Sequence, residues 1–435
     1  MLLQFSVKNY KTFKDKVTLS LLASNYDKDT LKDENIFVDK KYGFRILKSV
    51  VIYGANASGK SNLLDAFLFM KNFVINSSKE SQNGENINIK PFRLSEDTEN
   101  EPSEFEVIFL FDNILFRYGF EANEQNIISE WLYYKPNTKE IELFYRDENN
   151  FEIHERNFTK GRTITKAGLV RDNALLLSVA AQFNETKAIM VINWFKRLKM
   201  LSGLNESDYK GFIMNKTEAS TQKSKILELI KAADFGIQDI VLQKLDIDSL
   251  PKEMSKEIKD KIIRDINEGK SEFIDVLTIH KKYNLNKSTI DTVYFSLEDD
   301  ESSGTRKFFA LSAPILEVIE NGCISFVDEL DSKLHSNLVC KIVSLFNSKK
   351  FNSKNAQLIF NTQDTNLLSS GLFRRDQIWF TDKDKYGEAK LYSLADYRKN
   401  KVRKKEPFED NYIKGKYGAI PFLGFFDNLN NILPQ

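Results

Sequence analysis

The spacing of apolar residues changes along the chain and divides it into segments. Residues 1–184 contain short aromatic and β-branched runs, such as 105–111 and 114–120, separated by turn residues. This pattern predicts an antiparallel meander of strands. In residues 185–290 apolar side chains recur at helical spacing, as they do around Trp194, and we expect a helical insertion there.

Strand-like and helix-like patterns alternate from residue 291 to 395, which predicts a return to an α/β lobe. The last segment, 396–435, is first basic and then rich in Gly, Pro and aromatic residues, and we expect it to pack on the preceding lobe. Its basic run at 398–405 can neutralise nucleic-acid phosphates. A solvated linker or a docking site for an acidic partner explains the same residues equally well.

The strongest chemical signal is a phosphate-binding loop, G-x-x-x-x-G-K-S, at residues 54–61. A predicted strand enters this loop and a predicted helix leaves it, so backbone N–H groups and a helix N-terminus would surround a phosphate. We expect Lys60 to reach the β- and γ-phosphates and Ser61 to bind Mg²⁺. The predicted nucleotide-binding residues of the loop are Gly54, Asn56, Ser58, Gly59, Lys60, Ser61 and Asn62.

A pair of carboxylates follows a second buried strand, predicted at residues 323–327. An acidic residue at the tip of a strand beside a P-loop can hold Mg²⁺, and we assign this role to Asp328. Glu329 is placed one residue further on, where a general base can polarise the attacking water. An ordinary strand that ends in a solvated acidic turn is the alternative, and the P-loop in the same chain argues against it.

Two further segments have polar residues where a nucleotide would need them. Ser302 and Gly304 precede an apolar helix-like run, and small residues at the start of a helix let a backbone approach a phosphate closely. A strand predicted at 357–360 leads into Gln363, a polar residue able to contact a γ-phosphate.

In this order the motifs resemble those of ABC-type ATPases, in the branch that includes the heads of RecF, of SMC proteins and of SMC-like repair ATPases. More narrowly, the chain is similar to the AAA15 family of bacterial ATPases. Further matching stretches are residues 5–13, 91–94, 118–121, 130–133, 328–335 and 416–421. The resemblance implies an α/β fold, an ABC-type head with an antiparallel β subdomain and a helical insertion, and ATP and Mg²⁺ as cofactors.

The resemblance also implies a homo-oligomer, at least a dimer, that hydrolyses ATP between heads. The P-loop, the two carboxylates and Gln363 would act within one subunit, whereas Ser302 and Gly304 would contact the γ-phosphate from the facing subunit. Asp331 would lie at this interface. Most ABC-type enzymes have His where this chain has Gln363, and a glutamine cannot become cationic near neutral pH. We therefore expect slow turnover, suited to a switch.

Composition limits the other classes of function. The 435 residues are 41% hydrophobic, enough for one large or two ordinary domains, and the net charge of +1 gives no global electrostatic case for nucleic acid. No apolar run reaches the 18 residues of a membrane span, and no leader pattern opens the chain, so we expect a cytoplasmic protein. Cys323 and Cys340 form no C-x-x-C pair, which argues against a zinc or redox centre.

The biological role is a separate hypothesis that follows from family analogy. Related ATPases control a separate effector, a Toprim-like nuclease, in anti-phage systems of the AbiL and PARIS types, and they respond to a phage-derived trigger. The alternative is a RecF-like DNA-binding clamp driven by ATP. A kinase or GTPase is disfavoured because no N-K-x-D specifies guanine, and Glu329 argues against binding without turnover. Asp382 and Asp384 resemble a nuclease D-x-D but fall in a predicted hairpin turn, so we assign them no metal.

Overall fold

A computed structural model describes residues 1–80, 82–202, 220–233, 236–244, 274–397 and 406–421. The basic run at 398–405 lies outside them. The chain forms two compact units. The first unit comprises Met1–Ser202, Val318–Asp331 and Val339–Gln435, and the second unit comprises Gly203–Glu317 and Ser332–Leu338.

The strands are numbered in chain order. They are β1 (Leu2–Lys8), β2 (Val17–Ser20), β3 (Ile36–Val38), β4 (Arg45–Leu47), β5 (Ser49–Gly54), β6 (Ser103–Phe111), β7 (Ile114–Ala122), β8 (Ile127–Lys135), β9 (Ile141–Asp147), β10 (Asn150–Ile153), β11 (Leu198–Ser202), β12 (Asp239–Lys244), β13 (Ile274–Tyr283), β14 (Thr289–Ser296), β15 (Ile324–Asp328), β16 (Gln357–Asn361), β17 (Ile378–Lys383) and β18 (Ala389–Ser393).

The helices of the described residues are numbered in the same way. They are α1 (Lys32–Asn35), α2 (Lys60–Asn76), α3 (Glu96–Glu99), α4 (Thr159–Lys166), α5 (Leu176–Gln182), α6 (Thr186–Lys196), α7 (Ser220–Lys231), α8 (Ser303–Asn321), α9 (Ser336–Asn347), α10 (Asn366–Ser369) and α11 (Phe408–Ile413). None of them is long and apolar enough to cross a membrane.

The first unit contains the predicted antiparallel meander. Strands β6, β7, β8, β9 and β10 pair in succession, and β1 and β2 extend the sheet at the β6 edge. Aromatic and β-branched side chains alternate along these strands, so one face of the sheet can be buried while the other meets solvent. The meander is therefore confirmed, and β1 brings the N-terminal segment into it.

A six-stranded sheet in the same unit carries the phosphate-binding loop. Its strand order is β11-β15-β16-β5-β17-β18, with every neighbouring pair parallel except β17 and β18. Strand β5 is buried along its whole length, as the unbroken apolar run predicted. The parallel strands align their carboxyl ends at one edge of the sheet, and this edge holds the P-loop. The fold is the predicted α/β class with an antiparallel subdomain.

Helix α2 packs between the seven-stranded sheet and the six-stranded sheet of the first unit. The ring centroid of Phe67 lies 4.4 Å from that of Phe5 on β1 and 4.3 Å from that of Phe326 on β15. Trp194 of α6 stacks on Phe109 of β6 with centroids 3.9 Å apart. Aromatic pairs of this kind add about 0.5–1.5 kcal/mol each beyond the apolar area they bury. The helix that begins at the P-loop is thus held by packing on both of its sides.

The segment expected to be a helical insertion contains strands as well as helices. Within residues 185–290 the structure has α6 and α7 but also β11, β12 and β13. Helix α6 and strand β11 belong to the first unit, whereas α7 and the β12-β13-β14 sheet belong to the second. Val276, Thr278 and His280 are alternate residues of β13 and therefore share one face of that strand.

The described part of the C-terminal tail belongs to the first unit and packs against its strands. Tyr412 of α11 lies 5.6 Å from Tyr53 and 5.4 Å from Phe380 between ring centroids. The Tyr392 hydroxyl donates a 2.7 Å hydrogen bond to the Tyr417 carbonyl. The tail therefore contacts β5, the strand that ends in the P-loop. The predicted hairpin around Asp382 and Asp384 is formed by β17 and β18.

Candidate functional site

The site is built where neighbouring parallel strands end. Gly54, Asp328 and Asn361 are the last residues of β5, β15 and β16. Strand β16 lies between the other two strands. Because parallel strands place their carboxyl ends together, the P-loop and the acidic turn meet across Asn361.

The first glycine of the P-loop is required by close packing. A Cβ on Gly54 would lie 2.4 Å from the Ser58 hydroxyl and 2.5 Å from the Thr381 carbonyl oxygen. The Ser58 hydroxyl is 2.7 Å from that of Thr381 on β17, and both side chains are buried. Ser58 therefore anchors the loop to the next strand, and Asn56, two residues before it, is exposed.

The second glycine starts helix α2 in a conformation that L residues rarely adopt. Gly59 has a φ of 110°, and a Cβ there would meet the Thr12 hydroxyl at 2.9 Å. Thr12 also accepts a 3.0 Å hydrogen bond from the Asn62 side-chain amide. The segment between β1 and β2 thus closes on the first turn of α2. In the structure, the Asn62 side chain therefore helps to hold this segment against the P-loop.

Lys60 is buried and folded back over the loop. Its ammonium donates to the carbonyl oxygens of Gly54 at 2.6 Å and Ala55 at 3.0 Å. Burial lowers the pKa of Lys60, while the nearby carboxylates of Glu329, Asp331 and Asp328 act in the opposite direction. Because this positive charge is buried and contacts uncharged carbonyl oxygens, it should attract an anion that enters the loop.

The structure brings Ser61 and Asp328 together. The Ser61 hydroxyl donates a 2.9 Å hydrogen bond to Asp328 Oδ1, across 267 residues of chain. A hydroxyl and a carboxylate are hard oxygen ligands, and Mg²⁺ takes few protein ligands because substrate phosphates and water complete its octahedron. The described residues contain no cluster of three or more His, Cys, Asp or Glu side chains that could hold a metal. By the chemistry of their oxygen atoms, Ser61 and Asp328 could hold a Mg²⁺ ion that is also bound by a nucleotide.

Asn361 forms hydrogen bonds with both Asp328 and Glu329, and it was not among the site residues predicted from the sequence. Its side-chain amide donates to Asp328 Oδ1, and its side-chain oxygen accepts the backbone N–H of Glu329 at 2.6 Å. Its own carbonyl accepts the backbone N–H of Leu330 at 3.3 Å. The only sequence signal was a polar residue at the end of a buried strand, one position before Thr362.

Glu329 adopts a left-handed backbone conformation, with a φ of 51°. For an L residue other than Asn or Asp this costs about 1–2 kcal/mol, and it persists where the surrounding structure enforces it. The hydrogen bond to Asn361 is one such constraint. The half-buried Glu329 side chain therefore leaves β15 at a sharp turn rather than along the strand.

The predicted switch residue contacts the acidic turn through its backbone. The Gln363 N–H donates to Asp331 Oδ2 at 3.2 Å, and the Gln363 side chain is exposed. Asp331 Oδ1 is a buried atom without a hydrogen-bond partner in the described part of the chain. The structure thus links Gln363 to Asp331, a pairing that the sequence did not suggest.

Ser302 and Gly304 lie in the second unit, at the start of α8. The Ser302 hydroxyl accepts the backbone N–H of Thr305 at 3.1 Å, which is the geometry of a helix N-cap. A Cβ on Gly304 would meet the Lys333 carbonyl at 2.9 Å. Ser302 therefore has a capping role and Gly304 has a steric reason to lack a side chain, in addition to the phosphate contact predicted for both.

The histidines have local partners. His335 Nδ1 accepts the backbone N–H of Asn337 at the start of α9, at 3.2 Å. His280 Nε2 lies 2.7 Å from the Glu301 carboxylate. His154 Nδ1 accepts the backbone N–H of Arg156 at 3.2 Å. None of these contacts involves a predicted nucleotide-binding residue.

Comparisons with known proteins are consistent with a P-loop ATPase. A family model with the description "AAA domain, putative AbiEii toxin, Type IV TA system" matches residues 49–369. No curated protein matches the chain.

Solved structures to which the chain is similar include SMC heads and RecF. An SMC head bound to the C-winged helix domain of ScpA is 14% identical, with a TM-score of 0.43 over 90% of this chain and 97% of that one. The SMC head domain from Thermotoga maritima is 13% identical, with a TM-score of 0.41 over 90% and 98%. RecF with ATP is 13% identical, with a TM-score of 0.33 over 83% and 93%. Likeness at this level carries no conclusion about activity or partners.

Proposed function

The chain belongs to the family of AAA domains with the AbiEii-type description, and from this premise we propose that it is a Mg²⁺-dependent ATPase. The observation that carries the proposal is the contact between Ser61 and Asp328, at 2.9 Å, beside the buried ammonium of Lys60. These groups come from distant parts of the chain and meet only when β5 and β15 share a sheet. Bound Mg²⁺ would neutralise phosphate charge at this place.

Within one subunit, each predicted residue has a distinct task. The backbone of residues 54–61 and the N-terminus of α2 bind the phosphates, and Lys60 balances their charge. Glu329 accepts a proton from the attacking water as the general base. Gln363 can donate a hydrogen bond to the γ-phosphate from its exposed amide, but it cannot supply a positive charge. Most ABC-type enzymes have a histidine at this position, which can become cationic, so we expect slow turnover with Gln363.

We further propose that two heads complete the site together. Ser302 and Gly304 of one subunit would face the P-loop of another, with the α8 N-terminus directed at the γ-phosphate. The capped N-terminus of a 19-residue helix supports this role, because a helix N-terminus carries partial positive charge. The expected species is a homo-oligomer, at least a dimer, that forms when ATP is bound.

ATP-dependent association tests this part of the proposal. Glu329→Gln should bind ATP and accumulate as the closed dimer, because binding remains while hydrolysis is lost. Light scattering with ATP, with ADP and without nucleotide measures the mass of the species. A Glu329→Gln protein that stays monomeric at saturating ATP would contradict the shared site.

The biological role that we favour is a sensor or scaffold that controls a separate effector, such as a Toprim-like nuclease, in anti-phage defence. The words "putative AbiEii toxin" and "Type IV TA system" in the family description support a two-component setting of this kind. A phage-derived trigger would then act on the ATPase. The alternative is a RecF-like clamp that binds DNA directly and closes with ATP.

One purification separates these two roles. The native mass of the complex is measured after expression of the gene with its neighbours, in the presence of ATP. A stoichiometric second protein on the oligomeric ATPase supports the defence role. An ATPase that co-purifies with DNA, and whose hydrolysis double-stranded DNA stimulates, supports the clamp instead.

A further inference from the structure

We infer that Asn361 is a positioning residue that holds the Mg²⁺ ligand and the general base through two different arms of one side chain. The inference rests on the proposed ATPase function. Asn361 is fully buried at the end of β16, between the P-loop strand β5 and the acidic strand β15. Its donor arm reaches Asp328 and its acceptor arm reaches Glu329.

The donor arm orients the carboxylate of Asp328. The Asn361 amide and the Ser61 hydroxyl both donate to the same oxygen, Oδ1 of Asp328. Two donors on one oxygen hold the carboxylate plane and direct the second oxygen away from the amide. Partners of metal ligands act in this way, and their loss costs about 10- to 100-fold in metal affinity or activity.

The acceptor arm acts on the backbone of the next residue. The Asn361 oxygen accepts the N–H of Glu329 at 2.6 Å, and Glu329 is the residue with a φ of 51°. A residue without an acceptor at position 361 would remove this hydrogen bond and, with it, one support of the left-handed turn. This arm therefore sets the direction in which the Glu329 side chain leaves the strand.

An amide is the side chain that can do both tasks at once. Ionised Asp at this position would keep an acceptor for Glu329 but would place a like charge, with no donor, beside Asp328. Leu would fill a similar volume and supply neither arm. The two substitutions therefore separate the role of the donor arm from that of the acceptor arm.

The test measures binding of a fluorescent ATP analogue with and without Mg²⁺, together with steady-state hydrolysis. Asn361→Asp should bind the analogue without Mg²⁺ as the wild type does. It should need about 10- to 100-fold more Mg²⁺ for tight binding and for half-maximal rate, and at saturating Mg²⁺ it should keep more of the wild-type kcat than Asn361→Leu does. Asn361→Leu should show the same Mg²⁺ defect and also a lower kcat, because it loses both arms.

Thr362→Val is the matched control. Thr362 is buried on the same strand end, and its hydroxyl accepts the N–H of Asp364 rather than a group of the acidic turn. This variant should keep the wild-type Mg²⁺ requirement and kcat. Thermal unfolding of all three variants identifies any that fail to fold, and Asn361→Ser, a smaller change, replaces Asn361→Asp in that case with the same expected Mg²⁺ defect.

The outcomes separate this inference from the proposed function. If the wild type shows Mg²⁺-dependent binding and hydrolysis and folded Asn361→Asp has the wild-type Mg²⁺ requirement, the inference is wrong and the ATPase proposal stands. If Thr362→Val has the same defect as Asn361→Asp, the effect belongs to the strand end and the inference is also wrong. A wild type without nucleotide binding overturns both.

Discussion

At the scale of single residues, the P-loop shows how far local pattern determines chemistry. Lys60, Ser61 and Asp328 could be predicted because each follows directly from a motif attached to a strand. Asn361 could not, because its two hydrogen bonds exist only when β16 lies beside β15 and when Glu329 adopts a left-handed turn. Neither strand adjacency nor a strained φ can be read from a single polar residue. Non-local pairing therefore decides which polar residues become functional.

Gly59→Ala should weaken ATP binding by about tenfold or more, since a left-handed alanine costs about 1–2 kcal/mol and its methyl group would meet the Thr12 hydroxyl. The measurement is the Kd for ATP from titration calorimetry. Gly84→Ala is the control, because Gly84 also has a positive φ, 81°, but has nothing within 4 Å of its Cβ position. It should share the backbone strain and keep the affinity for ATP. Equal affinities for the two variants would contradict the role of the loop glycine.

At the scale of elements, the strands that carry site residues were the most predictable. Unbroken apolar runs predicted β5, β15 and β16 because strands buried on both faces need no polar side. The segment 185–290 was less predictable, since the short apolar runs of β12 and β13 suit a buried helix as well as a strand. The packing of Trp194 on Phe109 also joins α6 to the first unit, a contact that sequence spacing does not reveal.

Ser302 combines a helix cap with a predicted contact to phosphate, and two substitutions separate these roles. Ser302→Ala removes the side-chain acceptor for Thr305 and should destabilise the first turn of α8 by about 1 kcal/mol. Ser302→Asp keeps a cap acceptor but places a negative charge where a γ-phosphate is expected. It should therefore retain hydrogen-exchange protection of the first turns of α8 and lose hydrolysis. Hydrolysis at the wild-type rate in Ser302→Asp would mean that Ser302 acts only as a helix cap and does not contact the phosphate.

At the scale of the whole molecule, the C-terminal tail and the P-loop strand form one packed group. Tyr412 lies against Tyr53 and Phe380, and Thr365, two residues after Gln363, donates to Glu409 of α11 at 3.2 Å. The tail therefore contacts both the strand that enters the P-loop and the segment after the switch residue. The sequence predicted that the tail folds back but could not identify these partners, because they are separated from it by tens to hundreds of residues.

Tyr412→Ala should destabilise the first unit by about 3 kcal/mol, since it removes a buried aromatic ring that packs on Tyr53 and Phe380. Urea unfolding followed by tryptophan fluorescence measures this, because Trp131, Trp194 and Trp379 all lie in the first unit. Ile413→Ala is the control at the next position, where the side chain is 59% exposed, and should change stability by less than about 0.5 kcal/mol. Equal stability of both variants would mean that the packing of Tyr412 does not stabilise the first unit.

The most direct test of the central claim is phosphate release from ATP by the purified wild-type protein, with Lys60→Ala and Glu329→Gln measured beside it. The wild type should release phosphate slowly and only with Mg²⁺. Lys60→Ala should lose ATP binding and hydrolysis together, because the loop loses the cation that balances the phosphates. Glu329→Gln should keep binding and lose hydrolysis by about 10²–10⁴-fold, the range for removal of a general base. Hydrolysis at the wild-type rate in Glu329→Gln, or Mg²⁺-independent release by the wild type, would contradict an ATPase built on this site.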